Sequence, residues 1–189
     1  MSNKPTTASD TKVITGEVRF SYAHVFKPAA VEDGADEKYS VSLIIKKSDK
    51  KTIALVQKAI KAATEAGKGA KWGGKLPPKL KLPLRDGDEE RPDDEVYADC
   101  FFLNATSKTK PGVVDRFKQP ITDEEQFYSG CYGIASLNFY AFDTKGNKGV
   151  ACGLNNLMKV RDGDYLGGRA SAESDFAEVE VEDDVDVFN

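Results

Sequence analysis

Aromatic rings interleaved with cations are the pattern in this chain with the clearest chemical use. Between Tyr128 and Val160 the sequence reads YSGCYGIASLNFYAF, then DTKGNKG, then VACGLNNLMKV. Strand periodicity puts Tyr132, Ile134, Ser136, Asn138, Tyr140 and Phe142 on one face, with Lys145 and Lys148 at the tip. Rings that stack bases, beside ammonium groups that follow phosphates, are what a single nucleic-acid strand needs. The competing reading is that these tyrosines only cap a core. A second group lies in GKGAKWGGKLPPKLKLPLRDGDEERP, where Trp72 sits among Lys68, Lys71 and Lys75, followed by Lys79, Lys81 and Arg85. Trp72 either stacks on a base or anchors this long loop. Phe101 on a strand, and Lys108, Lys110 and Arg116 in SKTKPGVVDRF, complete the candidate DNA contacts.

Other chemistries find weaker support. GAKWGGKL imitates a phosphate-binding loop, but Leu76 replaces the metal-binding hydroxyl, and Pro77 and Pro78 prevent the helix that would hold phosphate. Asp93 and the pair Asp143 and Lys145 imitate a metal-dependent nuclease, but a hairpin tip and an acidic loop are poor places to fix carboxylates around an ion. One histidine, His24, leaves little for general-base catalysis, and it reads as a hydrogen-bonded structural residue on the apolar side of its strand. Cys100, Cys131 and Cys152 are odd in number, far apart and set in strand-like runs, so they read as buried free thiols rather than zinc ligands. No enzyme activity, cofactor or metal is expected.

The elements that must position these residues follow from periodicity. Lys12 to Phe26 reads as a first strand, with Val18, Phe20, Tyr22 and Phe26 inward. Lys38 to Lys46 is a second, with Tyr39, Val41, Leu43 and Ile45 inward. Ser48 is expected to cap a helix with apolar positions Ile53, Val56, Ile60 and Ala63, ended by Gly67. Glu95 to Asn104 reads as a third strand, with Val96, Ala98, Cys100 and Phe102 inward and Tyr97, Phe101 and Leu103 outward. In the hairpin, Cys131, Gly133, Ala135, Leu137, Phe139 and Ala141 form the core face. The predicted fold is mainly β: a five-stranded OB-fold-like antiparallel barrel with one α-helix, long loops and a disordered acidic C-terminal tail. The helix falls between the second and third strands, whereas the usual OB helix follows the third; the first long strand could bend and count twice.

Residues 1–11 are read as a disordered N-terminus, 12–169 as the DNA-binding domain and 170–189 as the tail. The net charge of −4 hides an asymmetry: after Arg169 there are eight acids and no Lys or Arg, which leaves the body at +4. Within the body, Lys38 to Arg85 holds 13 Lys and Arg against 2 acids, and Asp86 to Asp99 holds 8 acids against Arg91 alone. A basic body suggests a polyanionic ligand, and an acidic tail can mimic it. The N-terminus has no apolar stretch of signal-peptide type, and no run of about eighteen apolar residues exists, so no membrane partner and a cytoplasmic location are expected.

FYSGCYGIASLNFYAFDTKGNKGVACGLNNLMKVRDGDYLGGRASAESDF resembles a family of phage single-stranded DNA-binding proteins, and LPLRDGDEERPDDEVYADCFFLNATSKTKPGVVDRF is similar to the same family. The likeness runs roughly from Gly16 to Phe176. It implies an OB-fold, coverage of exposed DNA during replication and recombination in the host cytoplasm, and an acidic tail that recruits replication proteins. The tail residues carrying that role would be Glu182, Asp183, Asp184, Asp186 and Phe188, although Asn189 rather than the aromatic residue ends the chain. Duplex DNA as a second ligand, a strand-annealing role and a homodimer all stay open.

Overall fold

The structure, a computed structural model, describes residues 10–30, 32–166 and 176–180. In chain order it comprises β1 (Lys12–Ile14), β2 (Val18–Ala29), β3 (Lys38–Lys46), α1 (Lys50–Ala70), β4 (Arg85–Asp86), α2 (Gly87–Glu90), a 3₁₀ turn (Glu95–Tyr97), β5 (Cys100–Ser107), β6 (Gly112–Val114), β7 (Tyr132–Thr144) and β8 (Asn147–Arg161). Strands β2, β3, β5, β8 and β7 pair in that order, and β7 pairs back to β2, closing a ring of five. The ring is antiparallel except at β5–β8, where Ala105 and Thr106 run parallel to Cys152 and Gly153. The expected five strands are therefore present, and the helix lies between the second and third of them.

The first predicted strand does bend, but it counts once. β1 pairs with β7 at Leu137, and β2 pairs with β7 at Gly133, so both halves border the same neighbour. The break is at Thr15, whose Oγ1 accepts from the Ala135 amide at 3.0 Å, while the Gly16 amide donates to Thr52 Oγ1 at 3.0 Å. The start of α1 is thereby seated on the bend. Asp49, not Ser48, caps the helix, because its carboxylate reaches the Thr52 amide. Gly67 does not end it. The helix runs on to Ala70, and Gly67 makes room: a Cβ there would lie 2.6 Å from the Ala141 side chain and 2.9 Å from the Trp72 ring.

The ring is filled by Phe20, Val41, Leu43, Ile45, Leu103, Ala135, Leu137, Phe139 and Leu157, and α1 closes it with Ile53, Val56, Ile60 and Ala63. The hairpin's core face is as expected, with Cys131, Ala135, Leu137 and Phe139 buried. Its turn is Lys145-Gly146, both at positive φ (51° and 83°), the conformation a two-residue hairpin demands.

The third strand departs from its sequence reading. Asp94 caps a 3₁₀ turn at Glu95–Tyr97, and the strand begins only at Cys100. The faces are also exchanged. Leu103 and Ala105 enter the main core, while Cys100 and Phe102 lie on the opposite side in a small cluster with Ile44 and Tyr97. Residues expected outward, Tyr97 and Leu103, are buried. The sequence pattern misled because both faces of β5 are apolar and both are covered.

Candidate nucleic-acid interface

Outside the ring, the strand register aligns one residue from each strand. His24 lies opposite Ser40, Ser40 opposite Thr106, Thr106 opposite Gly153, and Gly153 opposite Asn138. Their chain neighbours Val25, Val41, Ala105, Cys152 and Leu137 fill the core, so these five face outward. The result is a transverse row of small or polar residues across five strands. Two tyrosines flank it. Tyr140, 44 % exposed, lies over Gly153, where a Cβ would sit 3.6 Å from the ring. Tyr22, 56 % exposed, stands at the other end.

Tyr22 was expected in the core. A register shift in β2 between Ser21 and His24, with Tyr22 at φ 46°, turns it outward instead, and His24 is exposed by the same slip. Bulges commonly re-aim side chains at functional sites, and positive φ at a non-glycine residue is strain held by the surrounding fold. The Arg91 guanidinium stands 5.6 Å from the Tyr22 ring centre, 4.7 Å from that of Tyr97 and 5.0 Å from that of Phe102. Tyr22, His24, Ser40, Ser42, Arg91, Asn104 and Thr106 line a groove of ≈ 420 Å³. Ser42 Oγ is buried at this groove and has no hydrogen-bond partner among the described residues.

Arg91 is placed by a clasp. Lys47 Nζ binds Asp86 at 2.9 Å and Asp88 at 2.7 Å, and the Asp86 carboxylate also caps α2 by accepting from the Asp88 amide. The Asp88 carboxylate accepts from the Asp99 amide at 3.0 Å, tying α2 to the start of β5. The hydrogen bonds that Lys47 donates to Asp88 and then Asp86 raise its ammonium above the ordinary value, and the same bonds lower both carboxyls. Sequence reasoning missed Tyr22 and Arg91. The lone cation in an acidic run was a signal for Arg91, but nothing local marks the bulge at Tyr22.

The sequence-predicted contacts divide. Tyr140, Lys145, Lys108, Lys110 and Arg116 are exposed, and Lys148 is half-buried with Asp143 at 4.0 Å. Lys71, Lys75, Lys79, Lys81 and Arg85 are also exposed, with Arg85 held by Glu90 at 2.8 Å and Lys81 Nζ on Asn147 at 3.0 Å. Trp72 is 7 % exposed, packs in the core and donates Nε1–H to the Phe142 carbonyl, so it anchors the loop and offers no free face. Phe101 packs against the main core with Lys47 Nζ 5.3 Å from its ring centre, because β5 turns odd-numbered residues inward. Tyr132 is held between Arg19 and Arg161, at 5.3 and 3.8 Å from its ring centre, with Gly163 closing on its edge. It does not share the open row with Tyr140.

The basic loop itself is a wedge. β5 and β8 pair directly only at Ala105 and Thr106; beyond that, Arg85 pairs with Phe102 on one side and Lys81 with Gly149 on the other. Leu80 and Leu84 pack on the core. The segment thus fills the gap where two ring strands diverge, which accounts for its length. Cys100, Cys131 and Cys152 are buried free thiols, and burial raises all three pKa values. Among the described residues, no group of three or more His, Cys, Asp or Glu side chains comes together to hold a metal, and no helix is long and apolar enough to cross a membrane. Tail residues Glu182, Asp183, Asp184, Asp186 and Phe188 lie outside the described residues.

A five-strand ring of this topology, with an open face of polar residues, aromatic rings and a guanidinium, defines an OB-like protein. The family described as "Enterobacter phage Enc34, ssDNA-binding protein" matches residues 11–186, and the chain belongs to it. The chain is 31 % identical over 188 residues to Putative protein p50 of Acyrthosiphon pisum secondary endosymbiont phage 1, covering 94 % of this chain and 98 % of that one. Its fold is similar to that of the single-stranded DNA-binding protein from bacteriophage Enc34 in complex with ssDNA (TM-score 0.73, 24 % identity, 83 % and 90 % of the two chains). It is also similar to that of gp2.5, a single-stranded DNA-binding protein encoded by bacteriophage T7 (TM-score 0.61, 16 % identity, 85 % and 97 %).

Proposed function

We propose that this chain is a non-enzymatic phage protein that binds single-stranded DNA without sequence preference, along the transverse row from Tyr22 and Arg91 to Tyr140. The observation that carries this is the row itself: a floor of small and polar side chains with an open aromatic ring near each end. β3 and β5 are the second and third ring strands, the face on which OB-folds commonly hold oligonucleotides. A base stacks on Tyr22 or Tyr140, and Lys108, Lys110 and Lys145 supply cations for phosphates. Membership in a family of phage single-stranded DNA-binding proteins supports the same ligand.

The acidic tail competes with DNA for this cationic surface and, when displaced, recruits replication or recombination proteins through Phe188. Eight acids without a cation after Arg169 support that reading. A tether presents such a segment at an effective concentration on the order of millimolar. The test is a gel-shift series with single-stranded and duplex oligonucleotides, with and without magnesium, on the full chain and on a variant lacking 173–189. Single strands are expected to shift intact, and tail removal to tighten binding at low salt, most for duplex. Magnesium-dependent cleavage lost on Asp93 or Asp143 substitution would replace the binding role with a nuclease; unchanged affinity after tail removal would reject the competition.

A further inference from the structure

We infer that the hairpin finger at Asp115–Gln119 is a second nucleic-acid contact, in which Phe117 stacks on a base of the strand as it leaves the groove. Phe117 is 69 % exposed, and the Arg116 guanidinium lies 4.8 Å from its ring centre. This exposure is built into the turn. The Asp115 carboxylate accepts from the Phe117 amide at 2.8 Å and the Gln119 amide at 3.0 Å. Asp115 and Gln119 also pair through their backbones, the Lys118 amide donates to the Asp115 carbonyl, and Lys118 takes φ 66°. Val113 and Ile121, at the base of the finger, are 7 % exposed and sit in the main core. A ring so presented loses little conformational freedom on binding.

The finger is also in the right place. It rises from β6, which pairs with β8 at Asn156 to Met158, and Asn156 Oδ1 accepts from the Gly112 amide at 3.2 Å. β6 runs parallel to β8, so the finger leaves it at Val114, opposite Met158, which is five residues beyond Gly153 of the transverse row and about 17 Å along an extended strand. Lys108 and Lys110 lie on the connection from groove-lining Thr106 to β6, and Arg116 and Lys118 flank Phe117. The single acid between Thr106 and Lys118 is Asp115, whose Oδ1 accepts from the two amides of the turn. Cations with one exposed ring, continuing from the row, match a polyanion with stacking bases better than an apolar protein surface.

This inference rests on the DNA-binding reading of the row, and oligonucleotide length separates the two. Binding of oligothymidylates of about 6 and about 16 nucleotides, within the range OB-folds occlude, is measured by anisotropy for wild type, Phe117→Ala and Phe117→Trp. Phe117→Ala is expected to bind the short oligonucleotide like wild type and the long one roughly 5- to 150-fold more weakly, the range of one base–aromatic stack. Phe117→Trp is expected to restore long-oligonucleotide affinity, and its emission to be quenched by the long but not the short oligonucleotide; the one native tryptophan, Trp72, is buried and serves as background. Equal affinity of Phe117→Ala and wild type for both lengths would overturn the finger contact and leave the row intact. Loss of self-association with unchanged long-oligonucleotide affinity would make the finger a protein contact instead. Wild type binding neither length would remove the row and the finger together.

Discussion

Arg91 Nη1 lies 3.5 Å from the Tyr22 hydroxyl, with its guanidinium 5.6 Å from the ring centre, although 69 positions separate the two residues. One is turned outward by a bulge and the other is held by a four-residue helix clasped to Lys47. The pairing leaves the ring 56 % exposed beside a fixed cation, and under the proposed function it is here that a base would stack and its phosphate be held.

Tyr22→Ala and Tyr140→Ala are each expected to weaken single-stranded DNA binding by about 1–3 kcal/mol with little effect on melting temperature. Tyr132→Ala should instead lower the melting temperature, because its ring is packed between Arg19 and Arg161. Anisotropy titrations alongside thermal melts separate the two outcomes. Normal binding by both the Tyr22 and Tyr140 variants would remove the row as the platform.

Binding should follow salt. For single strands, log K is expected to fall against log[salt] with a slope of about −0.7 per phosphate neutralised. Lys108→Ala or Lys145→Ala should flatten that slope by roughly one phosphate's share and weaken all sequences alike. A slope near zero would leave stacking alone to explain affinity.

Trp72→Ala should act on folding rather than on DNA. The ring is buried and its Nε1–H is used by the Phe142 carbonyl, so truncation is expected to cost about 3–5 kcal/mol. Denaturant titration reads the loss directly. An unchanged midpoint together with weakened DNA binding would show that the ring leaves its socket to stack.

The Lys47 clasp should show in the pH dependence of stability. Asp86 and Asp88 are lowered by hydrogen bonds from Lys47, so their contribution is full above the ordinary carboxylate value of about 4 and is lost as pH falls through the lower folded values. Lys47 is raised, so its contribution is full below about 10.4 and is lost as pH rises through the higher folded value. Lys47→Met is expected to remove part of the acid decline in melting temperature between about pH 4 and pH 2. It should also weaken single-stranded DNA binding at neutral pH, because α2 then no longer fixes Arg91. Identical acid profiles in variant and wild type would show that the clasp contributes nothing measurable.

Periodicity in the chain was enough to find five ring strands, the helix between the second and third, and the core face of the hairpin. Those features are local: alternating apolar residues at Cys131 to Phe139 and the Lys145-Gly146 turn specify a buried hairpin wherever it packs. The aromatic and cationic residue types also pointed to a nucleic-acid strand, and of the rings they singled out, Tyr140 is the one that lies exposed beside Gly153. The tertiary structure decided which rings are free. Trp72 and Phe101 are as aromatic as Tyr140, but one is buried and the other packs against the core, because a loop had to bridge diverging strands and because β5 is apolar on both faces. Tyr22 became exposed through a one-position slip in register, and in a strand one such slip exchanges inside for outside. Arg91 reaches it only through the long-range clasp between Lys47 and α2. The row itself exists only in the ring, since His24, Ser40, Thr106, Gly153 and Asn138 come from five strands and meet only when all five pair in one register.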